Sequence, residues 1–139
     1  MDAPLIYCDT CIFINCLKDE TSPTGKQMGR EAFRLFKRSA SCKYRIAISD
    51  WLLNEIYKKA SVSDAKLIFT LIKNKITEKV IKTEEDIARA KELSPSHFQD
   101  ALHVVLAMKA GADIFVTRDF ELRKNLGHLI EIKLPEELI

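Results

Sequence analysis

The stretch Leu5-Ile6-Tyr7-Cys8-Asp9 is a short apolar run that ends in a carboxylate. Four consecutive apolar residues predict a short, buried strand. The run Ile114-Phe115-Val116-Thr117 has the same character and also leads to an acid, Asp119. A third run, from Arg45 to Ile48, predicts another strand of this kind. These runs decide the fold class, because segments with helical patterns separate them.

Helical patterns fill the intervals between the predicted strands. Helices are expected at 11–17, 26–39, 49–60, 63–74, 83–93, 95–110 and 118–126, and two weaker strands at 79–81 and 129–132. The helix at 63–74 is expected to turn five apolar residues toward the core: Ala65, Leu67, Ile68, Leu71 and Ile72. Thr10, Ser49 and Thr83 are expected to cap three of these helices, and Pro95 is expected in the first turn of another. Alternating strands and helices predict an α/β fold with a mainly parallel central sheet. The length of 139 residues suits a single domain, 1–139.

Composition bounds the class of protein. The chain has 22 Lys and Arg against 20 Asp and Glu, a net charge of +2, so bulk charge does not mark it as a nucleic-acid binder. No apolar run approaches the roughly 18 residues that span a bilayer, and no signal-peptide pattern opens the chain, so a cytoplasmic location is expected. The four cysteines do not complete a zinc-finger spacing, and buried, reduced thiols are expected.

Four acids lie at the ends of predicted elements, far apart in the sequence. Asp9 and Asp119 follow two strands, and ligand sites in parallel sheets form beyond the carboxyl ends of strands. Asp100 begins an apolar helix, where a carboxylate needs a partner or a metal. Glu55 lies on the helix after the second strand. Clustered carboxylates repel one another unless a cation neutralises them, and Mg²⁺ prefers oxygen ligands. The pattern therefore favours a metal-dependent phosphodiester hydrolase.

Each of these acids also has a structural explanation. Asp9 and Asp119 have the character of helix caps. Glu55 and Lys59 are spaced for a surface ion pair on a helix. His103, three residues after Asp100, is expected to pack in the core rather than bind metal.

Four motifs together resemble the PIN-domain family, especially its compact VapC-type toxin ribonucleases. The motifs are Leu5-Ile6-Tyr7-Cys8-Asp9-Thr10-Cys11, Ser49-Asp50-Trp51-Leu52-Leu53-Asn54-Glu55-Ile56, Gln99-Asp100-Ala101-Leu102-His103 and Ala112-Asp113-Ile114-Phe115-Val116-Thr117-Arg118-Asp119. The resemblance covers nearly the whole chain. It implies a three-layer α/β/α fold and a Mg²⁺- or Mn²⁺-dependent endoribonuclease that leaves 5′-phosphate and 3′-hydroxyl ends. It also implies RNA as substrate, a homodimer and a small antitoxin partner.

The resemblance also assigns roles to residues of this chain. The catalytic and metal-binding acids would be Asp9, Glu55, Asp100 and Asp119, and the residues near the substrate would be Thr10, Thr117 and Arg118. The basic segment from Lys26 to Arg38 is a further candidate for contacts to the RNA backbone, although a solvated charged face explains it slightly better.

Other functions stay open at this point. A PIN-like module could bind RNA or protein without turnover, and a nuclease of this kind could process RNA without being a toxin. A phosphatase of the haloacid dehalogenase kind also places an Asp after its first strand. That class needs a second Asp two residues later, where this chain has Cys11.

Overall fold

The computed structural model describes residues 3–139, in which five strands and seven helices alternate. The strands are β1 (Leu5–Cys8), β2 (Arg45–Ser49), β3 (Ile76–Val80), β4 (Ile114–Val116) and β5 (Glu131–Lys133). The helices are α1 (Thr10–Lys18), α2 (Met28–Ala40), α3 (Asp50–Lys59), α4 (Val62–Ile72), α5 (Glu84–Leu93), α6 (Phe98–Lys109) and α7 (Phe120–Leu126). Two short 3₁₀ segments, Lys73–Lys75 and Pro135–Leu138, complete these elements.

The sheet is parallel throughout, with strand order β3-β2-β1-β4-β5. The chain moves outward from β1 through β2 to β3, and then returns to the other side of β1 with β4 and β5. Right-handed crossovers place the helices of these two halves on opposite faces of the sheet. Accordingly, α1 to α4 pack against one another, and α6 packs against both α5 and α7. The predicted three-layer α/β/α fold with a parallel sheet is confirmed.

The strand order reverses between β1 and β4, and this reversal positions the candidate site. Both strands are buried along their whole length, which explains their continuous apolar sequences. Tyr7 of β1 stacks on Phe115 of β4, with ring centroids 5.7 Å apart. In open α/β sheets, the crevice beyond the carboxyl ends of two such strands is the usual place for a ligand.

Several predicted boundaries and one cap were wrong. Asp9, and not Thr10, caps α1 by accepting a hydrogen bond from the Cys11 backbone N–H, and Thr10 is the first helical residue. The helix α6 begins at Phe98, because Pro95 lies in the preceding turn. The edge strands β3 and β5 overlap their predicted positions, but β3 begins at Ile76 instead of residue 79 and β5 begins at Glu131 instead of residue 129. Edge strands are short and half-exposed, so their sequences carry little periodicity.

The predicted inward face of α4 was also partly wrong. Leu67 and Leu71 were expected to face the core, but they are 71% and 37% exposed. The face that α4 buries consists of Ala65, Ile68 and Ile72. These three residues follow helical spacing, so Leu67 lies on the far side of the helix and Leu71 at the flank of the buried face. The cap predictions at Ser49 and Thr83 are confirmed, and Thr83 forms a reciprocal capping box with Asp86.

The cysteines of the described residues are all free thiols. Cys8 is buried in β1 as predicted, whereas Cys42 is exposed. Burial, followed by the nearby Asp9 charge, raises the pKa of both Cys8 and Cys11. Both groups therefore stay protonated thiols at neutral pH, which does not suit a redox or zinc pair.

Between residues 3 and 139 no helix has both the length and the apolar character that crossing a membrane requires.

Candidate active site

A cavity of about 290 Å³ opens at the carboxyl ends of β1 and β4. The residues that line it are Asp9, Thr10, Cys11, Glu55, Lys59, Asp100, His103, Arg118 and Asp119. All four acids of the predicted quartet therefore border one space, although they come from four different parts of the chain. Asp9 follows β1, Glu55 lies on α3, Asp100 lies in the first turn of α6, and Asp119 caps α7.

Asp9 is fixed by two hydrogen bonds that use both of its carboxylate oxygens. The Cys11 backbone N–H donates to Oδ1 at 2.6 Å, and the buried Thr117 hydroxyl donates to Oδ2 at 2.6 Å. Thr117 in turn accepts a hydrogen bond from the Asp119 backbone N–H at 3.1 Å. Hydrogen bonds to a carboxylate are among the stronger ones in proteins. Thr117 thereby links the end of β1 to the end of β4 through its hydrogen bonds with Asp9 and Asp119.

Glu55 is held by two donors on a single oxygen. The Thr10 hydroxyl donates to Oε1 at 2.6 Å, and Nε2 of His103 lies 2.5 Å from the same atom. Burial by itself would raise the pKa of Glu55, but the hydrogen bonds from His103 and Thr10 outweigh it, and the pKa is lowered. Glu55 is therefore ionised at neutral pH, and within residues 3–139 both of these donors use Oε1 and none occupies Oε2.

A buried chain of hydrogen bonds supports His103 from behind. The Tyr7 hydroxyl lies 2.8 Å from Nδ1 of His103 and 2.6 Å from the Ser49 hydroxyl, and Ser49 caps α3. Because Nε2 faces a carboxylate, we assign a proton to Nε2, and Nδ1 is the ring atom that pairs with the Tyr7 hydroxyl. Burial raises the pKa of Tyr7 far above neutrality, which keeps its hydroxyl a donor. This chain fixes the ring that orients Glu55.

The other two acids are less constrained. Both Asp100 and Asp119 are exposed to solvent at the rim of the cavity. Asp119 uses Oδ1 to accept the Leu122 backbone N–H at 3.2 Å. Partial loss of water raises the pKa of Asp100, and the charges of Asp9 and Asp119 raise it further. This rise in pKa reports a concentration of negative charge that a bound cation would relieve.

Arg118 lies at the wall of the cavity, but its guanidinium is engaged by other protein groups. It donates to the side chains of Glu31 at 2.9 Å and Asn15 at 3.0 Å, and it forms an ion pair with Glu136 at 3.2 Å. Glu136 also pairs with Lys26. Arg118 thus joins α1, α2 and the last 3₁₀ segment beside the site. Its predicted contact with a scissile phosphate stays a prediction, as does substrate contact by Thr10 and Thr117.

His103 is the contributor that sequence reasoning missed. It was expected to pack in the core, and it is indeed only 3% exposed, yet its Nε2 reaches into the site. The available signal was its spacing of three residues from Asp100, which places both side chains on one side of α6. Nothing in the sequence pointed to Tyr7 as its partner, because a tyrosine in an apolar strand resembles any core aromatic.

The donor set fits a hard divalent cation. The acids offer carboxylate oxygens, and the oxygens free of protein donors include the second oxygen of Glu55. Mg²⁺ usually takes one or two carboxylates and completes its shell with water and phosphate oxygens. Over the described part of the chain, no three His, Cys, Asp or Glu side chains stand close enough to enclose a metal ion. The fit therefore rests on the chemistry of the oxygens and on their shared cavity.

Comparison with solved structures places the fold. A chain of the VapBC2 complex from Rickettsia felis, crystallised with a DNA fragment from its promoter, superimposes with a TM-score of 0.60. The two sequences are 13% identical, and the match covers 94% of this chain and 98% of that one. At this identity the likeness shows a shared fold, which is the PIN-like α/β fold expected from the motifs. No protein-family model matches the sequence. A comparison with curated proteins gives no match.

Proposed function

We propose that this chain is a metal-dependent endoribonuclease that uses Mg²⁺, with Mn²⁺ as a substitute. The observation that carries the proposal is the convergence of Asp9, Glu55, Asp100 and Asp119 on one cavity where the strand order reverses. Structural caps and surface ion pairs explain single acids, but they do not explain why four acids from separate elements meet. The likeness to a chain of the VapBC2 complex supports the same proposal at the level of the fold.

In the proposed mechanism, Asp9, Glu55 and Asp100 would hold the ion, partly through bound water, and Asp119 would complete the site or help to hold a second ion. The chemistry that such an ion supplies is activation of water and neutralisation of the charge that develops on the phosphate. The hydrogen bonds from Thr117, Thr10 and His103 hold two of the carboxylates in place before substrate arrives. Fixed ligands of this kind reduce the reorganisation needed during the reaction.

A carboxylate at the rim completes the mechanism by orienting the attacking water or taking its proton. The leaving group is the 3′ oxygen of the preceding nucleotide, so the products carry 5′-phosphate and 3′-hydroxyl ends.

The first test is cleavage of single-stranded RNA by purified protein, with and without Mg²⁺ or Mn²⁺. We expect chelation to abolish cleavage, and Asp9→Asn and Asp100→Asn each to lower kcat/KM by at least about 100-fold. The matched control is Glu78→Gln, which neutralises an exposed acid on β3. Undiminished cleavage by the two aspartate variants would contradict the assignment of these residues to the active site. RNA binding without any cleavage by the wild type would favour a non-catalytic binding module.

We further propose that the chain is the toxin of a VapBC-type pair, and that it forms a homodimer. The fold similarity supports this assignment. Expression of the wild type should arrest growth, Asp9→Asn should relieve the arrest, and a small protein from the neighbouring gene should restore growth and co-purify. Active enzyme that leaves growth unaffected would instead favour a nuclease that processes RNA. Light scattering of the purified chain would measure the dimer.

A further inference from the structure

The outward face of α2 carries a stripe of cations. Its exposed basic residues are Arg30, Arg34, Lys37 and Arg38. Their spacing of three and four residues places them on one side of the helix. The only acid in the helix, Glu31, instead forms an ion pair with Arg118 beside the candidate site. The charges of α2 are therefore sorted, with the acid toward the protein and the cations toward solvent.

The stripe ends in a cleft of about 320 Å³ at the C-terminal end of α2. The residues that line this cleft, called here the basic cleft, are Arg34, Lys37, Arg38, Ser41 and Lys43. Since α2 leads into β2, the basic cleft lies toward the amino edge of the sheet, opposite the candidate site. A helix of 13 residues spans about 20 Å, and α2 runs from the neighbourhood of Arg118, which Glu31 contacts, to the basic cleft.

A specific turn builds the basic cleft. The Lys43 backbone N–H donates to the Arg38 carbonyl at 3.0 Å, and the Cys42 backbone N–H donates to the Ser39 carbonyl at 3.0 Å. These two bonds define a Schellman motif, in which Cys42 adopts the left-handed region with φ of 69°. That conformation is costly for a residue with a side chain. Its result is that the chain folds back and brings Lys43 beside Arg38.

The cations of the basic cleft are not neutralised by neighbouring acids. Across residues 3–139, no carboxylate forms an ion pair with Arg34, Lys37, Arg38 or Lys43. Lys75 adds a further charge at the rim, because its Nζ lies 2.8 Å from Cys42 Sγ. Favourable interaction with the helix dipole explains cations in the last turn of α2, but it does not explain Arg34 or Lys43.

We propose that the basic cleft and the stripe leading to it bind the phosphates of an RNA strand whose scissile bond lies in the active site. This inference rests on the proposed ribonuclease function. A cleft lined by four cationic side chains and a serine fits a nucleic-acid backbone better than a protein, because charged residues are depleted at the centres of protein interfaces. Phe33, 47% exposed beside the stripe with Lys37 over its ring, adds an aromatic surface for a base.

The test measures RNA affinity as a function of salt concentration, by fluorescence anisotropy of labelled RNA. The variant Arg34→Ala/Arg38→Ala/Lys43→Ala removes three cations of the basic cleft. For single strands, the slope of log affinity against log salt falls by about 0.7 for each phosphate that the protein no longer neutralises. We therefore expect the slope to fall by about 2 in magnitude. The reduction should be the same for poly(U) and for RNA of mixed sequence, because groups that bind phosphates do not read bases.

Two control variants separate direct phosphate binding from bulk charge and from folding. The triple variant Lys66→Ala/Lys79→Ala/Arg89→Ala removes the same charge from exposed positions on α4, β3 and α5, and should leave the slope unchanged. The charge-conserving variant Arg34→Lys/Arg38→Lys/Lys43→Arg should keep most of the affinity. All variants should show wild-type thermal unfolding, since the replaced side chains are exposed.

Cleavage kinetics then connect the basic cleft to the active site. For RNA of about 20 nucleotides the cleft variant should raise KM and leave kcat unchanged, whereas RNA of about 4 nucleotides should be cleaved as by wild type. An unchanged salt slope and KM in an active cleft variant would overturn this inference and leave the proposed function standing. Failure of the wild type to cleave RNA would reject the proposed function, while the anisotropy result would still report on the cleft. Unchanged RNA binding together with weakened binding of a protein partner would assign the cleft to that protein instead.

Discussion

The candidate site has two halves, one formed by Asp9 and Glu55 and the other by Asp100 and Asp119, and the protein holds the carboxylates of the two halves differently. Asp9 and Glu55 each receive two hydrogen bonds from side chains or backbone that the fold holds rigidly. Asp100 and Asp119 lie exposed at the opposite rim, and the pKa of Asp100 is raised by partial loss of water and by its acidic neighbours. Hydrogen bonds stabilise the charges of Asp9 and Glu55. By contrast, no ion pair within residues 3–139 neutralises the charge of Asp100 or Asp119.

This difference separates two requirements of a metal-dependent site. The first is geometry, which hydrogen-bonded carboxylates supply before any ligand arrives. The second is affinity for a cation, which carboxylates in mutual repulsion supply because binding removes the repulsion. Substitution of Asp9 or Glu55 should therefore change stability in the opposite direction to substitution of Asp100, and three variants test that expectation in order of effect.

The largest change is expected for Asp9→Ala. It removes the cap of α1 and the acceptor of the buried Thr117 hydroxyl, so unfolding free energy should fall by about 2–3 kcal/mol in urea titrations. Ser61→Ala is the matched control, because Ser61 caps the exposed start of α4 and its second partner is an exposed hydroxyl, that of Ser63 at 3.3 Å. The control should cost about 1 kcal/mol. Equal losses in the two variants would show that Asp9 is only a cap.

A smaller loss, about 1 kcal/mol, is expected for Glu55→Gln at neutral pH, because His103 and Thr10 lose a charged acceptor. The pKa of Glu55 is lowered on folding, so its contribution is complete above its usual pKa of 4.5 and is lost as pH falls through the lowered value. The difference between wild type and Glu55→Gln should therefore shrink in acid. Urea titrations at pH 7 and below pH 4.5 measure it, and a difference independent of pH would contradict this account.

The smallest change, and the one of opposite sign, is expected for Asp100→Asn. A raised pKa means that the ionised group destabilises the folded state at neutral pH, and that this penalty disappears as pH falls through the raised value. Since the side chain is exposed, the gain should be only a few tenths of a kcal/mol. Thermal unfolding with added Mg²⁺ gives the second readout, because Mg²⁺ should stabilise wild type more than this variant. If Asp100→Asn were less stable than wild type in the absence of metal, the expected difference between the two halves would be contradicted.

Much of this contrast could not be predicted from the sequence. The acids themselves were identifiable, because strand ends and an apolar helix made Asp9 and Asp100 conspicuous. Whether a carboxylate is tied or free depends on partners far along the chain, such as Thr117 for Asp9. Local periodicity does not report contacts of that kind. The role of His103 could not be predicted for the same reason. Its ring is buried like that of a core residue, and only the folded structure shows that it also forms a hydrogen bond with Glu55.

The fold was more predictable than the site, and its central strands more than its edges. Strands β1 and β4 are buried on both faces, so their apolar runs give a clear pattern. Strand β3 is mostly exposed and its predicted start was wrong, and Leu67 and Leu71 of α4 were assigned to the core. Apolar side chains on a protein surface are common, so composition alone does not decide which face of a helix is buried.

The hydrogen bond between Thr117 and Asp9 has a consequence for the timing of synthesis. These residues are 108 positions apart in the sequence, and the central strand β1 pairs with β4 across a similar separation. At about 5–20 residues per second, a ribosome needs roughly 5–20 s to make the intervening chain. Until then the nascent protein has Asp9 but neither Asp100 nor Asp119 beside it. The assembled site therefore first exists after the residues up to Asp119 have been made, and a shorter emerging fragment carries only part of it.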